Sequence, residues 1–199
     1  MEGVGYILDL PVWKGEEGTY PAFTPTSLSF VGGCRADLKF LFLTYTGCNA
    51  EVKAFLRQHP EVVIVAQSNH ANRLGEQRAL IHELWSEGLN HPVIAFQHYA
   101  LTAPQMEDFQ IRAAADCGAL LFDNLIDGIC LFNNPPQGRP NIPLQRQDDT
   151  AFGILQATRQ RTTKTEYISC PGCGRTLYDL QATIARIKAA TAHLKGLKI

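Results

Sequence analysis

Two thiols dominate the chemistry this sequence can offer. Cys170 and Cys173 stand two residues apart in Ser169-Cys170-Pro171-Gly172-Cys173-Gly174. On a tight turn that spacing lets both sulfurs reach one metal ion or one cluster. Gly172 and Gly174 permit positive φ, which can turn backbone N–H groups toward sulfur. A helix that follows directs its N-terminal dipole at the same place and favours a thiolate or an anionic cluster. Four readings fit the motif. It is half of a tetrahedral zinc site, a dithiol redox pair on a strand–turn–helix, part of an iron–sulfur ligand set, or two cysteines without a ligand. The first and third need more ligands, and the sequence holds no second CxxC.

The other reactive side chains are less pointed. Cys34, Cys48, Cys117 and Cys130 sit in apolar surroundings and read as small buried hydrophobes of a reducing compartment. His91 and His98 bracket an apolar run and read as surface or satisfied histidines. Asp116, Asp123 and Asp127 could pair for acid–base work, but the run FDNLIDG reads better as caps and turns. Asn69, His70 and Asn72 follow a strand end, where parallel sheets bind ligands. There is no phosphate-type glycine loop, no G-x-S-x-G and no zinc-protease helix motif. Tyr167 and Tyr178 lie in a basic segment that lacks a dense Lys/Arg stripe, so nucleic acid is not an expected partner.

The elements that must position these residues follow from periodicity. The chain has 199 residues, 45% hydrophobic and 19% charged, enough for a packed core and too apolar for disorder. No apolar run approaches the roughly 20 residues of a membrane helix. The N-terminus lacks a basic then apolar leader pattern. Residues 1–38, rich in Gly, Pro and Thr, read as irregular with one or two short strands. Beyond them, strands are expected at 39–45, 62–66, 92–99 and 118–122, and helices at 49–59, 74–87 and 104–118. The strands are continuous apolar runs, as in a parallel sheet buried on both faces. The fold class is therefore α/β, an open or partial barrel-like sheet with covering helices. Residues 133–149 read as a proline-rich linker. Beyond it come a helix at 150–161, a strand at 165–169 running into the cysteines, and a helix at 176–194 opened by a Thr176/Asp179 capping box. Residues 195–199 look like the start of another strand. Charge divides at the same place. Residues 1–150 carry 10 Lys and Arg against 17 Asp and Glu, and residues 151–199 carry 8 against 2. A second module thus begins near Thr150.

The run TKTEYISCPGCGRTLYDLQ, within residues 152–199, closely resembles the start of the iron–sulfur domain of the 4-hydroxy-3-methylbut-2-enyl diphosphate synthase family. The β/α stretch from Val62 to Phe132 resembles, less strongly, the later part of the extra domain of its long, three-domain form. The resemblance implies residues 1–132 as an α/β insert domain, 133–149 as a linker and 150–199 as the first part of a truncated α+β cluster domain. It also implies the family's reaction, the reductive opening of 2-C-methylerythritol 2,4-cyclodiphosphate, with loss of water, in isoprenoid biosynthesis. Two electrons come from ferredoxin or flavodoxin through a [4Fe–4S] cluster held by three Cys and one Glu. Cys170 and Cys173 match the first two ligands. The third Cys and the Glu are expected beyond Ile199, and the substrate-binding barrel before Met1. The chain is therefore expected to be an internal or truncated piece, inactive alone, of a homodimeric enzyme of the bacterial cytoplasm or plastid stroma. The insert is expected to act as a spacer. Asn124 and Ile126 stand where the family usually has glycines. Arg159, Arg161, Lys164 and Arg175 are candidates for a basic field facing acidic carriers and a diphosphate. A dithiol oxidoreductase and a non-enzymatic zinc module remain the rival readings.

Overall fold

The computed structural model describes residues 4–199, so the start of the segment read for a leader lies outside the described residues. Two compact units are present, one up to Ala151 and one over Phe152–Ile199. In the first, six parallel strands pair in strict chain order: β1 (Tyr6–Asp9), β2 (Thr19–Phe23), β3 (Lys39–Leu43), β4 (Val62–Ala66), β5 (Val93–Tyr99) and β6 (Gly128–Asn133). An order that never reverses puts successive right-handed crossovers on one face, as in part of a barrel. The helices are the short α1 (Leu28–Val31), α2 (Ala50–Gln58), α3 (Arg73–Ser86) and α4 (Met106–Phe122).

Alternate strand residues point to that helical face. Leu41, Leu43, Ile64, Ala66 and Ala95 lose all their exposure there, together with Val52 of α2, Leu80 and Ile81 of α3 and Phe109 of α4. On α3 the buried residues Gln77, Leu80, Ile81 and Leu84 recur at i, i+3, i+4 and i+7, the stripe of a helix lying on a sheet. Asn72 caps it by accepting the Gly75 N–H at 3.0 Å, and Gly88 at φ 71° lets the chain leave. Asn49 caps α2 in the same way through Val52 N–H. Gln77 is fully buried and ties two strands. Its amide donates to Ala66 C=O at 2.8 Å and Phe96 C=O at 3.3 Å, and its carbonyl accepts from Gln97 at 2.8 Å. The opposite face gathers Ala22, Phe40, Val63 and Val65 with half-buried Tyr20, Phe42, Ile94 and Phe96.

Several expectations shift. Residues 118–122 continue α4 and form no strand. Ala113, Cys117, Leu120 and Leu121 are buried at helical spacing, and the fourth strand of the expected series begins ten residues later than expected, at β6. A short apolar run carries no period of its own, so helix and strand read alike there. As expected, residues 4–38 carry two short strands, β1 and β2, and both join the sheet. Within the stretch read as a linker, α5 (Leu144–Ala157) begins at Leu144 and crosses the boundary between the units. In the second unit, residues 165–169 form no full strand. They make a short parallel ladder with the C-terminal residues, Glu166 N–H to Leu197 C=O and Ile168 N–H to Ile199 C=O, each 2.8 Å. The last helix, α6 (Leu180–Thr191), starts four residues later than expected. Asn124 takes the left-handed conformation at φ 52° while Ile126 does not, so the one residue of that pair which tolerates αL is the one that adopts it.

Two outcomes test this packing. Gln77→Leu strands carbonyls of two strands without a donor and is expected to cost about 1–3 kcal/mol in urea unfolding. At the start of β3, Lys39 donates to Glu61 at 2.8 Å and holds its carboxyl down at about 2, from 4.5. A depressed carboxyl stabilises the fold above its unfolded pKa and loses that contribution as pH falls through the folded one. The Tm difference between the parent and Glu61→Gln is therefore expected to be constant above pH 4.5 and to shrink from there toward pH 2.

Candidate functional site

The cysteine pair lies on an exposed turn of the second unit. Both Cys170 and Cys173 are solvent-accessible free thiols. Gly172, between them, sits at φ 85°, and a Cβ there would touch Leu180 Cδ2 at 3.4 Å. The turn therefore packs on the first residue of α6 and needs glycine for its left-handed step. Cys173 and Thr176 close a further turn. Cys173 N–H donates to Thr176 Oγ1 at 3.3 Å, and Thr176 N–H donates to Cys173 C=O at 2.9 Å.

The expected capping box gives way to a single cap. Thr176 serves the cysteine turn, and Asp179 itself caps α6, accepting Ala182 N–H at 2.9 Å. A carboxylate at that helix end offsets the positive end of its dipole.

The surroundings of the turn are almost uncovered. Ile168, Leu177 and Tyr178 expose 62%, 96% and 62% of their surface, and α6 has no buried residue. Among the described residues of this unit only Ile154 and Thr158 are buried. A unit of this size with so little core has little apolar burial to order it.

The remaining candidates separate. Cys117 is buried in α4, and burial pushes its thiol up to about 12. Cys34 and Cys48 are half-buried, and Cys130 is exposed on β6, against the expectation that all of these pack as core. β6 is an edge strand, and edge position leaves its side chains open. The three aspartates do not pair with one another. Asp116 accepts from Tyr99 Oη at 2.8 Å, Asp123 binds Arg78, and Asp127 accepts Val93 N–H at 2.8 Å. His91 Nδ1 lies 2.9 Å from Val62 C=O. His98 is exposed, its ring tilted on Phe132 and its carbonyl bonded by Arg73 at 2.7 Å. Of the strand-end trio, Asn72 is a helix cap and His70 accepts Asn72 N–H at 3.0 Å. A polar cavity of about 600 Å³ opens there, lined by His70, Arg73, His98, Arg112 and Asp116. Sequence reasoning missed Arg112, because a lone arginine on a helix carries no motif. Arg159 pairs with Glu166 at 2.6 Å and Arg161 stacks over Phe152, which takes two of the four basic candidates into local contacts. Among the described residues no group of three or more His, Cys, Asp or Glu converges on one point, and no helix is long and apolar enough to cross a membrane.

No family model matches the chain. Curated relatives do. The chain is 62% identical over 198 residues to the 4-hydroxy-3-methylbut-2-en-1-yl diphosphate synthase (flavodoxin) of Bacteroides thetaiotaomicron, covering 100% of this chain and 31% of that protein. It is 61% identical over 197 residues to the same enzyme of Bacteroides fragilis, covering 99% of this chain and 30% of that protein. A chloroplastic, ferredoxin-type synthase of Oryza sativa is 42% identical over 127 residues, 64% of this chain and 16% of that protein. The chain thus spans about a third of the length of the bacterial relatives.

Thiol exposure gives a direct check on the site. In the native chain, timed alkylation read by peptide mass spectrometry is expected to label Cys170 and Cys173 well before Cys117, and unfolding is expected to erase the difference.

Proposed function

As a member of the 4-hydroxy-3-methylbut-2-en-1-yl diphosphate synthase family that corresponds to about a third of its relatives' length, this chain, we propose, supplies Cys170 and Cys173 as two of the ligands of a [4Fe–4S] cluster. The single observation that carries this reading is the pair of open thiols on a glycine turn in a nearly coreless unit, in a segment shared with those synthases. The donor set fits as half of a cluster site. Two thiolates on one turn suit iron, and their exposure leaves room for ligands from outside the described residues.

The whole protein's reaction, on this reading, is the two-electron reductive opening of 2-C-methylerythritol 2,4-cyclodiphosphate, with loss of water, to the allylic diphosphate. When bound, the cluster supplies those electrons, taken from flavodoxin or ferredoxin. This chain's own residues do something more modest. Gly172 and Thr176 hold the two sulfurs on one turn, and Leu180 seats that turn on α6. The first unit acts as an insert domain and spacer, residues 150–199 form the first part of the cluster domain, and the intact enzyme works as a homodimer. Bacterial cytoplasm or plastid stroma is the proposed compartment, and the chloroplastic rice relative supports the second for plants.

Anaerobic incubation of the chain with ferrous iron, sulfide and dithiothreitol tests the assignment, since added thiol can complete the ligand set. Broad iron–sulfur charge-transfer absorbance is expected, together with its loss in Cys170→Ser/Cys173→Ser. Stoichiometric zinc in a colourless protein, or a reversible Cys170–Cys173 disulfide indifferent to iron, would overturn it in favour of a zinc module or a dithiol oxidoreductase.

A further inference from the structure

The second unit carries eight Lys and Arg against two acids, and both acids are already engaged. Glu166 accepts from Arg159 at 2.6 Å and lies 4.0 Å from Lys198, and Asp179 caps α6. Away from them a cavity of about 540 Å³ is lined by Lys164, Lys188 and Lys195 with Thr163, Thr165 and Tyr167, and no carboxylate lines it. Its hydroxyls turn inward. Tyr167 Oη lies 2.8 Å from Thr191 Oγ1, and Thr165 Oγ1 donates to Leu194 C=O at 2.7 Å. Lys188 Nζ stands 5.4 Å from the centre of the Tyr167 ring. Lys164, Lys188 and Lys195 thus line one open wall, and the Thr165 and Tyr167 hydroxyls on it are engaged within the protein. A fixed phosphate site would use those donors. Long, exposed lysine stems suit the carboxylates of a protein surface instead.

The cysteine turn is within reach of the same footprint. Lys188 is eight residues along α6 from Leu180, about 12 Å at 1.5 Å per residue. Weak electron-transfer complexes bury less than about 1,200 Å² in total, or roughly 600 Å² per partner, a disc of about 14 Å radius. Along α6, that radius reaches from Lys188 to Leu180, the residue on which the cysteine turn packs. Beside the thiols a partner meets exposed Leu177 and Tyr178, the apolar contact that a charged rim surrounds in such interfaces.

We infer that Lys164, Lys188 and Lys195, with Leu177 and Tyr178, form the docking surface for an acidic electron-carrier protein of the flavodoxin type. The carrier class rests on the proposed function, and the surface rests on the charge geometry. Long-range attraction would orient the carrier and make the complex weak, fast and salt-sensitive.

Titration of the 199-residue chain with purified oxidised flavodoxin, followed by calorimetry or amide chemical shifts, tests this. Binding at low ionic strength is expected, with Kd rising about tenfold or more at high salt. Lys164→Glu/Lys188→Glu/Lys195→Glu is expected to raise Kd by a similar factor, and Arg139→Glu in the first unit to leave it unchanged. The milder Lys188→Gln/Lys195→Gln is expected to weaken binding less than the triple reversal, and it keeps the test valid if the reversal misfolds. No binding, salt-independent binding, unchanged affinity in the lysine variants, or saturable inorganic phosphate at these lysines without flavodoxin contact would overturn the inference. Cys170→Ser/Cys173→Ser separates it from the cluster reading. Flavodoxin binding is expected to survive that change, and iron uptake is expected to survive the lysine changes.

Discussion

The first unit depends on sealing one face of its parallel sheet. Leu41, Leu43, Ile64, Ala66 and Ala95 are withdrawn completely from water beneath α2, α3 and α4. A buried Leu or Ile contributes about 1.5–3 kcal/mol, so this layer supplies much of the unit's apolar stabilisation. The strand order carries a consequence. Since it never reverses, the helices all serve one face, and the other must make do with side chains from the strands themselves. There the aromatics do the covering. Tyr20 meets Phe40, Phe42 meets Phe96 and Phe96 stacks on Phe132, with ring centroids 5.8–6.2 Å apart. Buried polar groups on the helical side must be satisfied inside the protein. Gln77, bridging Ala66 and Phe96 carbonyls, satisfies that demand at the point where α3 lies across two strands.

The second unit answers the same problem of order differently. It has 48 residues and one buried apolar side chain among those described, Ile154. Burial on that scale cannot offset the entropy of ordering the chain. What it has instead is local closure, with the Cys173–Thr176 turn, the Asp179 cap and the Glu166–Leu197 and Ile168–Ile199 bonds each fixing a few residues. A bound metal adds its own free energy to such a scaffold, because its ligands come together only when the chain is folded.

Much of this was legible in the sequence, and the failures have physical causes. Long periodic segments announced themselves. The helices expected at 49–59 and 74–87 and the strands expected at 62–66 and 92–99 stand within one residue of α2, α3, β4 and β5. Residues 118–122 misled because five apolar residues hold neither period, and the preceding Ala113 and Cys117 decided the matter by continuing a buried helical stripe. Thr176 and Asp179 both look like caps. Only three-dimensional closure of the cysteine turn shows that Thr176 is occupied elsewhere. The CxxC was visible at once, yet its exposure was not, since exposure depends on how little the rest of the unit can cover. The strand-end position of Asn69 and His70 was legible, but Arg73, His98, Arg112 and Asp116 reach the same cavity from α3, β5 and α4 by packing alone.

The charge step along the chain and the chemistry of the turn belong to one argument. Two thiolates concentrate negative charge at one point, and a helix dipole is the usual local compensation. Here Asp179 sits at that helix end and spends part of it on its own carboxylate. Compensation has to come from the unit as a whole, whose eight cations outnumber its acids fourfold. Such a surplus cannot be confined to the turn. At an ordinary ionic strength the field extends about 8–10 Å into solvent, so it reaches whatever approaches the thiols. The same surplus of cations therefore favours anionic visitors over cationic ones. The first unit, rich in acids, has no such field to offer, which is why the electrostatics of the chain divide where its compact units do.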